Sequence, residues 1–167
     1  LYSTLEEALR YYETAENLIK IVLLYLDILL IEYQLATEVG WIPLRFASDY
    51  GHITIVQLLL SRPDIQINCQ NLSGWSPLGV AAFRGQNEIS QLLLVQPNIQ
   101  INIRDKVERT PLIHAAINGH AEIVELLLKQ PGIVIDCQDK WKKTATDYAA
   151  HFGYTNIVKL LSHANQN

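Results

Sequence analysis

Hydrophobic and polar positions repeat along this 167-residue chain at a fixed step. Leucine runs at Leu58–Leu60, Leu92–Leu94 and Leu126–Leu128 stand 34 residues apart, and Leu160–Leu161 continues the series. The third run lies in "AEIVELLLK", where Ile123, Val124, Leu126, Leu127 and Leu128 cover most of the circumference of a predicted helix. A short helix that apolar must be covered on more than one side, as it would be between copies of its own unit. Upstream, "PLIHAAIN" predicts a companion helix. Thr110 suits its N-cap, and Pro111 suits a first helical position where a missing N–H costs nothing. Gly119 follows, fit for the left-handed residue that ends a helix. Pro131 stops the second helix, and "GIVIDCQD" predicts an extended turn into the next unit.

The turn-forming residues keep the same step. Pro43, Pro77 and Pro111 form one ladder, and Pro63, Pro97 and Pro131 another, which accounts for every proline in the chain. Gly51, Gly85, Gly119 and Gly153 form a third. The pairs Ile67–Asn68 and Ile101–Asn102 continue as Ile135–Asp136, and Gly40 and Gly74 each stand beside a tryptophan, Trp41 and Trp75. A chain patterned this way is a linear array of one supersecondary unit.

Helix, tight turn, helix and extended loop at this length resemble the ankyrin repeat. "TPLIHAAINGHAEIVELLL" matches the family pattern closely, with Ile113 in place of the signature histidine and His114 one place later. "SPLGVAAFRGQNEISQLLL" and "IPLRFASDYGHITIVQLLL" match with Gly79 and Arg45 at that position, and "TATDYAAHFGYTNIVKLLS" substitutes Ala145 and Asp147. The family's common length is 33, and the additional residue here is placed in the "RPDIQIN", "QPNIQIN" and "QPGIVID" loops. The resemblance implies an all-α solenoid of stacked helix-turn-helix units joined by β-hairpin-like loops. Units are expected at 38–71, 72–105 and 106–139, with a truncated capping unit at 140–167. Sliding back 34 residues from "GHITIVQLLL" gives "NLIKIVLLYL", so residues 4–37 read as a degenerate first repeat. A separate N-terminal helix is the alternative, because "DILLIEYQLA" lacks the loop proline and looks helical.

Bulk composition narrows the class. The chain is 49% hydrophobic and 18% charged, which suits a folded domain. Its formal net charge of −4 disfavours a nucleic-acid partner, since phosphate neutralisation needs a basic surface. Residues 1–71 carry nine acids against four bases, and residues 72–167 eight acids against nine bases. The most apolar stretch, residues 18–36, is interrupted by Lys20, Asp27 and Glu32, so a core helix is expected there rather than a membrane span. No secretory signal is visible. The chain starts at Leu1 and contains no methionine, and it is read as part of a longer protein.

Cys69 and Cys137 occupy equivalent loop positions two units apart. With stacked helices roughly 8–10 Å apart, their sulfurs should lie on the order of 20 Å apart, too far for a disulfide. Two free thiols suit a reducing compartment, and an intracellular, cytoplasmic location is expected. Catalytic motifs are missing: there is no Gly-rich phosphate loop, no HExxH and no Gly-x-Ser-x-Gly. His114 and His120 are six residues apart across a helix end, a poor metal pair. His120 is expected to satisfy turn backbone. No enzymatic activity, cofactor or metal is expected.

The resemblance implies a protein-binding scaffold whose contacts lie at the hairpin tips and first-helix ends of a concave face. On this chain the tips are Glu38, Val39 and Trp41; Leu72, Ser73 and Trp75; Lys106, Val107 and Arg109; and Lys140, Trp141 and Lys143. The helix ends are Asp49 and Tyr50; Phe83 and Arg84; Ile117 and Asn118; and His151 and Phe152. All three tryptophans fall in this set, and aromatics and arginine are what interface hot spots favour. Trp41, Tyr50, Trp75, Phe83, Arg84, Arg109, Asn118, Trp141, Lys143, His151 and Phe152 are the candidate contacts. Trp41 and Trp75 have a second reading, in which they pack between adjacent tips. The expected partner is a protein or peptide with apolar anchors and an acidic segment near the C-terminal units. The alternative function is a targeting or regulatory domain of a larger enzyme, channel or effector.

Overall fold

The computed structural model describes residues 43–164. The readings made for residues 4–37, for the tip residues Glu38, Val39 and Trp41, and for the last three residues lie outside that range.

The described residues form eight helices and no strand. They are α1 Pro43–Tyr50, α2 Ile53–Leu60, α3 Pro77–Arg84, α4 Asn87–Leu94, α5 Pro111–Ile117, α6 Ala121–Leu128, α7 Ala145–His151 and α8 Thr155–Ala164. The first helices α1, α3, α5 and α7 touch in succession and make one layer; α2, α4, α6 and α8 make the other. The fold is an all-α repeat solenoid.

Local chemistry sets each helix boundary. The Ser76, Thr110 and Thr144 side chains accept hydrogen bonds from the N–H groups of Gly79, Ile113 and Asp147, each starting a first helix. Pro77 and Pro111 sit just inside two of those starts. At Thr144 the Asp147 carboxylate bonds back to the Thr144 N–H, and this closed capping box offsets the loss of the proline at Ala145. The helices end where the chain turns left-handed: Gly85 has φ +76° and Gly119 has φ +74°. Second helices follow at once and contribute Val56, Leu59, Ile89, Leu93, Ile123, Leu127, Ile157 and Leu161 to the buried core.

Those two turn glycines also have a neighbour above them. A Cβ on Gly85 would stand 2.6 Å from the His120 ring, and one on Gly119 would stand 2.8 Å from the Tyr154 ring. The residue after each glycine therefore roofs the glycine of the preceding unit. His120 does more than fill space, because its Nε2 lies 3.1 Å from the Phe83 carbonyl oxygen. That is the backbone role expected for it.

On the loop side, the Ile-Asn pairs have a structural purpose that the sequence pattern showed without explaining. Asn68 donates to the Asn98 carbonyl and accepts from the Gln100 N–H, each at 2.8 Å. Asn102 repeats this one unit on, donating to the Gly132 carbonyl and accepting from the Val134 N–H. An amide side chain both donates and accepts, so one asparagine pins the next loop at two points.

Candidate partner-binding site

The tips are built by one device used three times. Asn71, Asp105 and Asp139 each place Oδ1 between two backbone N–H groups, those of Ser73 and Trp75, of Val107 and Arg109, and of Trp141 and Lys143. Each tip also closes through its own backbone, as where Lys142 N–H donates to the Asp139 carbonyl at 2.9 Å. Successive tips join through Lys106 N–H to the Ser73 carbonyl and Lys140 N–H to the Val107 carbonyl, both at 3.1 Å.

The second carboxylate oxygen reaches the first helix that follows its tip. Asp105 Oδ2 is 3.0 Å from His114 Nε2, and both side chains are buried. Asp139 Oδ2 accepts from the Tyr148 hydroxyl at 2.6 Å and lies 3.4 Å from Arg109 Nε. His114 and Tyr148 occupy the same position of the 34-residue step; one unit earlier that position is Val80, and there the tip residue is Asn71. A carboxylate thus appears where the helix offers a polar partner, and a neutral amide where it offers none.

Burial opposes the charged form of Asp105. The His114 imidazole and the N–H groups of Arg109 and Val107 outweigh it and hold the carboxyl below the usual carboxylate range. Asp139 behaves alike: burial raises it, but the Tyr148 hydroxyl, the Lys143 and Trp141 N–H groups and Arg109 bring it down. Burial and the bond to Asp139 raise the Tyr148 hydroxyl in turn.

Several predicted contact residues are engaged within the fold. Trp75 stacks on His114 with centroids 4.3 Å apart, and does not simply pair with an adjacent tip. Phe83 meets Trp75 edge-on at 5.2 Å and His114 at 6.0 Å, which gives it a packing role the sequence did not suggest. Arg84 Nε lies 2.6 Å from Asp49 Oδ1, with Arg45 on the other carboxylate oxygen at 3.5 Å. Arg109 donates to the Tyr148 hydroxyl as well as pairing with Asp139, and its guanidinium lies over the Trp141 ring. Asn118 caps its own helix by donating to the His114 carbonyl.

Tyr50, Trp141 and Phe152 are the large candidates left open to solvent, at 59%, 51% and 49% exposure. Arg84, His151 and Lys143 are exposed too, and the His151 ring meets Phe152 edge-on at 4.9 Å. Phe46, which the sequence reading passed over, is 37% exposed and lies 4.4 Å from Tyr50. Its position of the step reads Phe46, Val80, His114 and Tyr148 while the next position stays alanine throughout, at Ala47, Ala81, Ala115 and Ala149. That variation was the available signal.

Among the described residues no group of three or more His, Cys, Asp or Glu could hold a metal. Cys69 and Cys137 are free, and burial pushes the Cys69 thiol up to about 11. No described helix is long and apolar enough to cross a membrane.

Paired helices stacked in two layers, with turn tips bonded along one edge, define a repeat scaffold with a composite face. The protein-family model described as "Ankyrin repeats (3 copies)" matches residues 11–105 and 78–167, and the chain belongs to the ankyrin-repeat family. That family generally mediates protein–protein interaction and is generally non-catalytic. None of the curated proteins compared matched the chain.

Proposed function

We propose that this chain is a non-enzymatic protein-interaction module that binds a partner protein or peptide on the face made by its first helices and turn tips. The observation that supports this reading most is the half-exposed set Tyr50, Trp141 and Phe152 on that face. Large aromatics left in solvent at such positions are what interface hot spots are made of. The partner presents apolar anchors to them and an acidic segment toward the C-terminal units. Free thiols suit a reducing, cytoplasmic setting. The units are taken as 38–71, 72–105, 106–139 and 140–167, preceded by a degenerate one at 4–37. Regulation or targeting of a larger enzyme, channel or effector is the same binding activity placed in a longer chain.

The test compares two variants by affinity capture and mass spectrometry, with melting curves as the folding control. Tyr50→Ala/His151→Ala/Phe152→Ala should lose the partners held by the unaltered chain. Val95→Ser/Val134→Ser, which alters exposed residues away from the tips and first helices, should keep them. Partners retained by the first variant and lost by the second would place binding elsewhere and overturn the reading.

A further inference from the structure

We infer that the last tip, Lys140 to Lys143 with Lys106 beside it, is the site that reads a carboxylate-rich segment of a protein partner. This rests on the interaction reading above and gives its acidic segment an address. The sequence places Arg84, Arg109, Lys140, Lys142 and Lys143 on that side, but the two arginines are engaged within the fold: Arg84, though half exposed, is held by Asp49, and Arg109 by Asp139 and Tyr148. The lysines are different. Lys106, Lys140, Lys142 and Lys143 are all exposed, and they crowd two adjacent tips.

The carboxylates nearby are engaged within the fold and offset only part of that charge, Asp147 by attracting Lys143. Asp105 and Asp139 point inward beneath their turns, where tip N–H groups hold them and their second oxygens face His114 and Tyr148. Asp147 is held by the Thr144 N–H and hydroxyl, and Glu108 lies 3.4 Å from Arg104. A chain of net charge −4 therefore carries a local positive edge. That edge is also preorganised, since the tip backbone is fixed by the Asp139 carboxylate and by the Lys140 N–H bond to Val107. Fixed backbones reduce the ordering cost of binding.

Trp141 adds the apolar element. Its ring has the Arg109 guanidinium 5.0 Å and the Lys140 ammonium 4.7 Å from its centroid, and half of the residue is exposed. A hydrophobic side chain flanked by Asp or Glu complements that arrangement. Its apolar body would cover the indole while its neighbours meet the lysines. A nucleic-acid backbone needs a longer basic track than one edge of an acidic chain.

The experiment uses the intact chain, labelled with nitrogen-15, and three probes: a peptide of eight glutamates around one central leucine, its lysine counterpart, and an oligothymidylate. The acidic peptide should move the Trp141 indole and the Lys140, Lys142 and Lys143 amide resonances, and bind at least tenfold more weakly at 200 mM than at 50 mM salt. The lysine peptide should leave those resonances in place. Lys140→Glu/Lys142→Glu/Lys143→Glu should abolish the shifts, and Lys129→Glu/Lys159→Glu should preserve them. Unmoved tip resonances, equal binding by the triple variant, or equal shifts with the oligothymidylate would each overturn the inference. None of these results touches the variant Tyr50→Ala/His151→Ala/Phe152→Ala, so this site can fail while the interaction reading stands.

Discussion

The Trp75 indole lies nearly flat on the His114 imidazole, 4.3 Å between centroids and 25° between planes, and this contact crosses from one unit to the next. Arg109 meets Tyr148 across the same sequence offset, 39 residues, with a 3.0 Å hydrogen bond. Tip and following helix are thus locked twice by different chemistry at one geometry. In both cases the helix residue also bonds the aspartate beneath its own tip.

The Asp105–His114 pair is expected to behave as a matched set. His114→Val copies the residue at Val80 and strands a buried carboxylate oxygen, at a cost of about 1–3 kcal/mol. Asp105→Asn/His114→Val recreates the Asn71 and Val80 combination, and should recover most of that loss. Urea denaturation of the two single variants and the double variant measures the coupling. Additive losses would mean that the pairing is incidental.

Acid should weaken the fold in a definite window. Asp105 and Asp139 have folded pKa values below the usual range, so the unfolded chain takes up protons first as pH falls. Their contribution is complete above the unfolded value of about 4, and is lost as pH drops through the lower folded value. Melting temperature should stay level through neutral pH and decline below about pH 4. Asp105→Asn should melt lower at neutral pH yet show a shallower acid decline; parallel curves for variant and parent would contradict this.

Two glycines separate backbone strain from crowding. Gly85 and Gly153 share a left-handed φ, +76° and +77°, but a Cβ meets the His120 ring at Gly85 and nothing within 4 Å at Gly153. Gly153→Ala should cost about 1 kcal/mol. Gly85→Ala should cost at least about 1 kcal/mol more, because displacing His120 breaks its bond to the Phe83 carbonyl. Thermal melts giving equal losses would show that His120 moves aside freely.

Ser90 marks a stabilisable point in the core. It is fully buried in α4, where the equivalent residues are Val56, Val124 and Val158, and its hydroxyl has no hydrogen-bond partner. Ser90→Ala removes a buried polar group and improves helix propensity, and should raise stability by about 1 kcal/mol. A lower denaturation midpoint for the variant would point to a partner for that hydroxyl.

Chain spacing made the architecture legible. Pro77 and Pro111, with Gly85 and Gly119, mark where helices begin and end by steric rules that act within a few residues, so their ladders carried the fold directly. The face was legible only as a set of positions. Whether Trp75 or Arg109 points to solvent depends on a residue 39 positions later, and no periodicity of hydrophobic residues encodes that contact. Residue type misled for the same reason: aromatic and arginine side chains suit an interface and an inter-unit lock equally well. Phe83 and Arg109 serve as locks, while Tyr50, Trp141 and Phe152 are left exposed.

The two-point grip of Asn68 and Asn102 on the following loop, like the roofing of Gly85 and Gly119, recurs at the spacing of the sequence step and joins neighbours. Each junction therefore presents nearly the same mating surfaces above and below. Excising or duplicating a whole 34-residue segment would bring like surfaces together again, so the protein can change length by entire rungs, much as a ladder does. A deletion of fewer residues would misalign every asparagine clasp beyond it.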